Sequence, residues 1–132
     1  MSHFIGKGER SALEITKELM GEDVEYKTQY PFKNLMKGDY ADTLSERQLK
    51  ETLDIVVFQD LKETIVIRVQ GGDHTGILKS ARDTVQKKML EWNNCKVIDL
   101  WYYECPELWK EQVNEGSRLE VKTAFIDAGL NL

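Results

Sequence analysis

The sequence predicts an α/β domain in which a mixed central sheet is flanked by helices, in the order α-β-β-β-α-β-α. Three observations carry that expectation. Two apolar segments, Leu53 to Phe58 (LDIVVF) and Thr64 to Gln70 (TIVIRVQ), flank the short loop 59–63 and read as a strand hairpin buried on both faces. A long helical segment, 77–92 (ILKSARDTVQKKMLEW), follows them. A further apolar strand, Lys96 to Tyr103 (KVIDLWYY), comes after that helix. A hairpin followed by a helical crossover to another strand produces antiparallel and parallel pairs in one sheet.

The other elements follow in order. Residues 8–20 (GERSALEITKELM) predict a helix, with Leu13, Ile15, Leu19 and Met20 as a partial apolar face and Gly21 as its stop. Val24 to Tyr30 (VEYKTQY) alternates as a strand, and Pro31 ends it. Residues 32–52 read as a polar connection with one helical turn after Ser45. Within 77–92 the expected core side is Ile77, Ala81, Val85, Met89 and Trp92, and Asn93-Asn94 close the helix. Pro106 opens a short helix at a position where its missing N–H costs nothing. The tail from Arg118 predicts a last helix or a docking segment. No repeat, low-complexity tract or linker divides the chain, so a single domain over 1–132 is expected.

Composition narrows the function classes. The chain has 132 residues, 41% hydrophobic and 31% charged, as in ordinary globular proteins. No run approaches the ~18 apolar residues of a membrane helix. The opening MSHFIGKGERSAL lacks the apolar stretch of a signal peptide, so a cytoplasmic location, or the interior of a phage-infected cell, is expected, with no membrane partner. Cys95 and Cys105 have no CxxC spacing and too few neighbours for a zinc site. The extended chain between them spans ~30 Å, so reduced, structural thiols are expected. The net charge of −5 argues against a protein that coats nucleic acid, whose affinity rests on neutralised phosphates. It leaves room for a nuclease, because a bound metal supplies local positive charge to a carboxylate site. Weak unaided DNA affinity, or a protein partner that targets the chain, follows from that charge.

The candidate chemistry centres on Asp54. It is an acid within an otherwise apolar strand, where burial costs several kcal/mol (~3–5 kcal/mol when a partner is removed) unless the charge is paired or binds a cation. Across the hairpin, Arg68 and Gln70 are two apart and share one face. Gly71-Gly72 then permits a tight turn or a close backbone approach, and His74 follows. A structural ion pair between Asp54 and Arg68, a surface histidine and an ordinary strand-ending turn account for the same residues one by one.

As a set, the stretch LDIVVF…TIVIRVQGGDH…SARDTVQKKMLEWNNCKVIDLWYYEC resembles the very-short-patch-repair endonuclease group of the PD-(D/E)XK nuclease superfamily. The matching features are Asp54 on a strand, Gln70-Gly71 and His74 after the next strand, Arg82-Asp83 on a helix, and Val97 to Cys105 with Trp101. The upstream QYPF (Gln29 to Phe32) is similar to small nucleases of this kind, and the resemblance covers roughly residues 24–105.

The resemblance implies a restriction-endonuclease-like fold and Mg²⁺-dependent DNA cleavage, with Mn²⁺ as a substitute. Asp54 and the backbone carbonyl of Val69 would ligate the metal, and Glu14 from the first helix is a further candidate ligand. Gln70, where related proteins carry His, Asp or Glu, would orient water or phosphate. His74 would act as general base or acid, for which an unperturbed pKa of ~6.5 suits it. Arg68, Lys79 and Arg82 would contact phosphate, with Asp83 in support; Lys87 and Lys88 add charge to the same helix. A solvated helix face is the competing reading of those cations and of Glu14. Arg68 stands where many relatives carry Glu, Gln70 is neutral, and the motif lysine is missing. These departures keep a second expectation open: a catalytically inactive nuclease-fold subunit that binds nucleic acid or protein. Cleavage of both strands would call for a homodimer or two successive events. Phage, restriction and recombination settings fit the resemblance equally.

Overall fold

The computed structural model of the chain describes residues 7–71 and 77–132; side chains are described from Gly8 to Gly71 and from Ser80 onward. Its described elements run α1 (Lys7–Met20), β1 (Glu25–Pro31), a 3-10 turn (Phe32–Leu35), α2 (Asp39–Asp42), α3 (Glu46–Lys50), β2 (Thr52–Phe58), β3 (Thr64–Gln70), α4 (Ile77–Trp92), β4 (Cys95–Trp101), a second 3-10 turn (Pro106–Trp109) and α5 (Glu115–Asp127). The four strands form one sheet in the order β1-β2-β3-β4. β1/β2 and β2/β3 are antiparallel, whereas β3/β4 is parallel, as a hairpin followed by a helical crossover requires.

Ile55, Val56 and Val57 on β2, and Ile65, Val66 and Ile67 on β3, are all fully buried. The alternation of side chains sends them to two cores. On one face, Ile55, Val57, Ile65 and Ile67 pack with Ala12 and Ile15 of α1 and Val121 and Phe125 of α5. On the other, Val56, Val66 and Val97 pack with Met89 and Leu90 of α4 and with Phe32 and Leu35 of the first 3-10 turn. The sheet is thus sandwiched between α1/α5 and α4, a mixed α/β architecture.

Short-range chemistry sets the boundaries. Ser45 caps α3 with a full capping box, its Oγ accepting from Gln48 N–H while Gln48 Oε1 accepts from Ser45 N–H. Asn114 and Ser117 form the same device at α5, which therefore starts three residues before the expected Arg118. Asn93 ends α4 by folding its side chain inward. Its Nδ2 donates to Met89 O, and its Oδ1 accepts the backbone N–H of Lys37, tying α4 to the segment after the first 3-10 turn. β4 stops at Trp101 rather than Tyr103, because the Glu104 and Cys105 N–H groups both turn back to the Trp101 carbonyl.

The buried side of α4 differs from expectation. Val85 and Trp92 are exposed, as is Ala81, while Asp83, Gln86 and Lys87 are half-buried and Met89 and Leu90 face the sheet. The cause is the charge beneath the helix. Arg68 projects from β3 into this layer, and α4 must answer it with polar atoms, so the stripe laid on the sheet is polar through its middle.

Candidate active site

Asp54 lies where regular pairing breaks down on both sides of β2. Toward β3, the paired residues run from Val57–Ile65 to Ile55–Ile67 and stop there. Beyond that point the Asp54 carboxylate replaces a strand carbonyl, and Val69 N–H donates to its Oδ2 at 2.7 Å. Toward β1, Thr28 faces Ile55 and Tyr30 faces Leu53, and between them Gln29 adopts φ 49°. Gln29 is pinned there by two side-chain bonds: its Nε2 donates to Glu9 of α1 and its Oε1 accepts from Thr52 Oγ1.

This departure opens a cleft of about 240 Å³ lined by Glu51, Thr52, Asp54, Arg68, Gln70 and Asp83, among others. Val69 contributes its backbone. In an extended strand the N–H and C=O of one residue point to the same side. Tyr102 N–H donates to Gln70 O on the β4 side, so the Val69 N–H and carbonyl both point toward β2 and Asp54.

Arg68 is not the partner of Asp54. The parallel register sets Arg68 beside Asp99 of β4. The two form a fork, with Nε to Oδ1 at 2.6 Å and Nη2 to Oδ2 at 2.9 Å, both side chains almost wholly buried. The remaining donor, Nη1, reaches the Asp83 carbonyl at 2.8 Å and Gln86 Oε1 at 3.2 Å on α4. Gln70 is buried as well and donates Nε2 to Asp99 Oδ1 at 3.3 Å. A guanidinium buried with a carboxylate, two carbonyl-type acceptors and an amide neighbour has partners on all three nitrogens, the condition under which such burial is tolerated.

The candidates therefore divide. Asp54, the Val69 backbone, Arg68, Gln70 and Asp83 meet at one cleft, although Arg68 and Gln70 direct their donors to Asp99. Glu14 is exposed and lines a different groove, with Lys17, Glu18 and Tyr26. The acid of α1 that is bonded to this end of the sheet is Glu9, through Gln29. Arg82 is exposed and lines neither this cleft nor the one beside it, whereas Lys87 and Lys88 line the second. His74 and the Lys79 side chain lie outside the described residues. Asp99 was not among the expected residues. Its signal is the one that marked Asp54, a lone acid within an apolar strand, KVIDLW.

Among the described residues no group of three or more His, Cys, Asp or Glu side chains stands close enough to hold a metal ion. The donor set at Asp54 is one carboxylate with a backbone carbonyl facing it, in a cleft that Glu51 and Asp83 also line. Magnesium is commonly held by one or two carboxylates together with water and substrate phosphate, so this set fits that ion and not a cage-forming one. Both cysteines are buried free thiols whose pKa burial pushes up to about 11, which leaves them protonated and unreactive at neutral pH. Comparison with known protein families, characterised proteins and solved structures finds no match.

Proposed function

We propose that the chain is a metal-dependent DNA endonuclease of the PD-(D/E)XK type, in the very-short-patch-repair-like group, with Asp54 as its principal metal ligand. The observation that carries this reading is the position of Asp54. A carboxylate stands where a buried hairpin splays, with a backbone carbonyl turned toward it, on a sheet of two antiparallel pairs and one parallel pair joined by a helix. A strand end opened in this way gives a substrate phosphate access to an acid that would otherwise be sealed in the ladder.

Each residue has a defined task in this reading. Asp54 and the Val69 carbonyl would hold Mg²⁺. When bound, that ion stabilises charge developing on the scissile phosphate and makes bound water more acidic. The hydrogen bond from Val69 N–H fixes the carboxylate without exhausting it, because two carboxylate oxygens offer about four acceptor sites. Gln70 would orient water through its amide oxygen, its nitrogen being directed to Asp99. Arg68 acts as a positioning residue: by locking β3 to β4 and α4 it holds the Asp54 cleft open. His74, four residues past the end of β3 in the sequence, would move the proton.

The second reading, an inactive nuclease-fold subunit, draws on the same cluster. Arg68 and Gln70, which relatives use as acid or base positions, are here committed to Asp99. Incubating supercoiled plasmid with purified protein separates the two. Nicking that requires Mg²⁺ or Mn²⁺ and stops with chelator is expected. Intact DNA with either ion, supercoiled plasmid and single-stranded circle alike, together with a retained band shift on DNA, would establish the subunit reading instead.

A further inference from the structure

Beside the Asp54 cleft lies a second one of about 480 Å³, and the two share Arg68 and Asp83 as a common wall. Its far side is Trp101, the last residue of β4, which the sheet register sets next to Gln70. The Tyr103 ring stacks on Trp101 with centroids 5.7 Å apart and planes 28° apart, and Tyr103 is 75% exposed. The turn that presents this pair is tightly held. The Glu104 and Cys105 N–H groups both return to the Trp101 carbonyl, and Tyr102 N–H donates to Gln70 O. The Tyr102 ring packs edge-on against Trp109, and Glu120 caps the following 3-10 turn by accepting from the Glu107 and Leu108 N–H groups. The stack thus holds the exposed Tyr103 ring, on a rigid turn, at the rim of a cleft.

The charge around it says what kind of ligand suits it. The cleft is lined by Arg68, Lys87 and Lys88, but equally by Asp83, Glu91 and Asp99, and the chain carries a net charge of −5. Lys87 and Lys88 can meet one or two phosphates. They cannot supply the run of phosphate contacts that holds a duplex. Aromatic faces hold bases without such a run, provided the bases are unpaired, because paired bases present edges and not faces. We infer that the Trp101–Tyr103 stack is a platform for an unpaired nucleotide of a DNA strand, beside the phosphate to be cut. The inference rests on the endonuclease reading and adds its substrate class: strands with single-stranded, frayed or branched segments.

The test is made in chelator, so that no cleavage enters it. A fluorescently labelled oligothymidylate is titrated with wild-type protein, with Tyr103→Ala and with Tyr103→Phe, in parallel with a blunt duplex of equal phosphate number. Tyr103→Ala is expected to weaken oligothymidylate binding by ~10-fold, while Tyr103→Phe, which keeps the face, binds like wild type. The affinity should fall only gently with salt, as for about two phosphates. Equal oligothymidylate binding by Tyr103→Ala and wild type would overturn the platform. So would preference for the duplex, or a dimer in solution that Tyr103→Ala dissolves, which would make the stack an interface between copies. Metal-dependent plasmid nicking, measured separately, tells these failures from a failure of the endonuclease reading.

Discussion

Replacing Asp54 by asparagine is expected to reduce metal-dependent nicking by at least about a hundredfold, the scale on which loss of one preorganised charge-stabilising group is felt. Asparagine is the informative substitution because of what it keeps. Its amide oxygen can still accept the Val69 N–H that now goes to Asp54 Oδ2, so the splayed end of the hairpin stays closed over the same bond. What disappears is the negative charge that would hold the ion. Alanine removes both and leaves the Val69 N–H without its acceptor, at a cost of ~1–3 kcal/mol. Asp54→Asn should therefore melt near wild type and not cut, whereas Asp54→Ala should not cut and should also melt lower. Undiminished nicking by the asparagine variant would remove Asp54 from the site.

Arg68→Ala is expected to have the largest effect on stability. The guanidinium is almost wholly buried and bonds Asp99, Asp83 and Gln86 at once. Truncating it strands the Asp99 carboxylate inside the protein, a situation that costs ~3–5 kcal/mol. Against a typical total stability of ~5–15 kcal/mol that is a large share. The thermal midpoint should fall by about 10 °C or more. Arg68→Lys should recover little, because an ammonium cannot reproduce the two-pronged fork on Asp99. Removing both charges, as Arg68→Met with Asp99→Leu, should recover most of the loss, since a buried pair is often replaceable by apolar residues of similar volume. A midpoint for Arg68→Ala within a degree or two of wild type would show that the cluster does not hold β3, β4 and α4 together.

How much of this was legible in the sequence varies with the physics involved. β3 lies at its expected residues because an apolar run between polar breaks marks a strand buried on both faces, and α4 because its length between polar breaks marks a helix. The order of elements followed from the hairpin and the crossover; the expected turn after Ser45 and short helix at Pro106 are α3 and the second 3-10 turn, and the first 3-10 turn and α2 are added to it. The buried face of α4 was misread for one reason. Its apolar residues Val85 and Trp92 point outward, because Arg68 draws the polar Asp83 and Gln86 onto the sheet. Hydrophobic periodicity cannot register a helix whose inner stripe answers a buried charge.

The candidate site was legible in its acid and not in its pairing. Asp54 was marked by the cost of an acid in an apolar strand, and Asp99 satisfies the same test one strand further on. Which of the two takes Arg68 depends on the parallel register of β3 and β4, and that is set by the crossover helix and not by any local pattern. The contact of Glu9 with the sheet was not legible for a similar reason. The first turn of α1 meets the sheet through Gln29, whose positive φ nothing in QYPF announces.

The most direct test of the account is a calorimetric titration of Mn²⁺ into wild-type protein and into Asp54→Asn, each in the presence of a short DNA that is not cut on the timescale of the measurement. Saturable binding to the wild type that is lost in the variant, while both melt alike, is the predicted result. Identical isotherms, or no binding to the wild type even with DNA present, would contradict it.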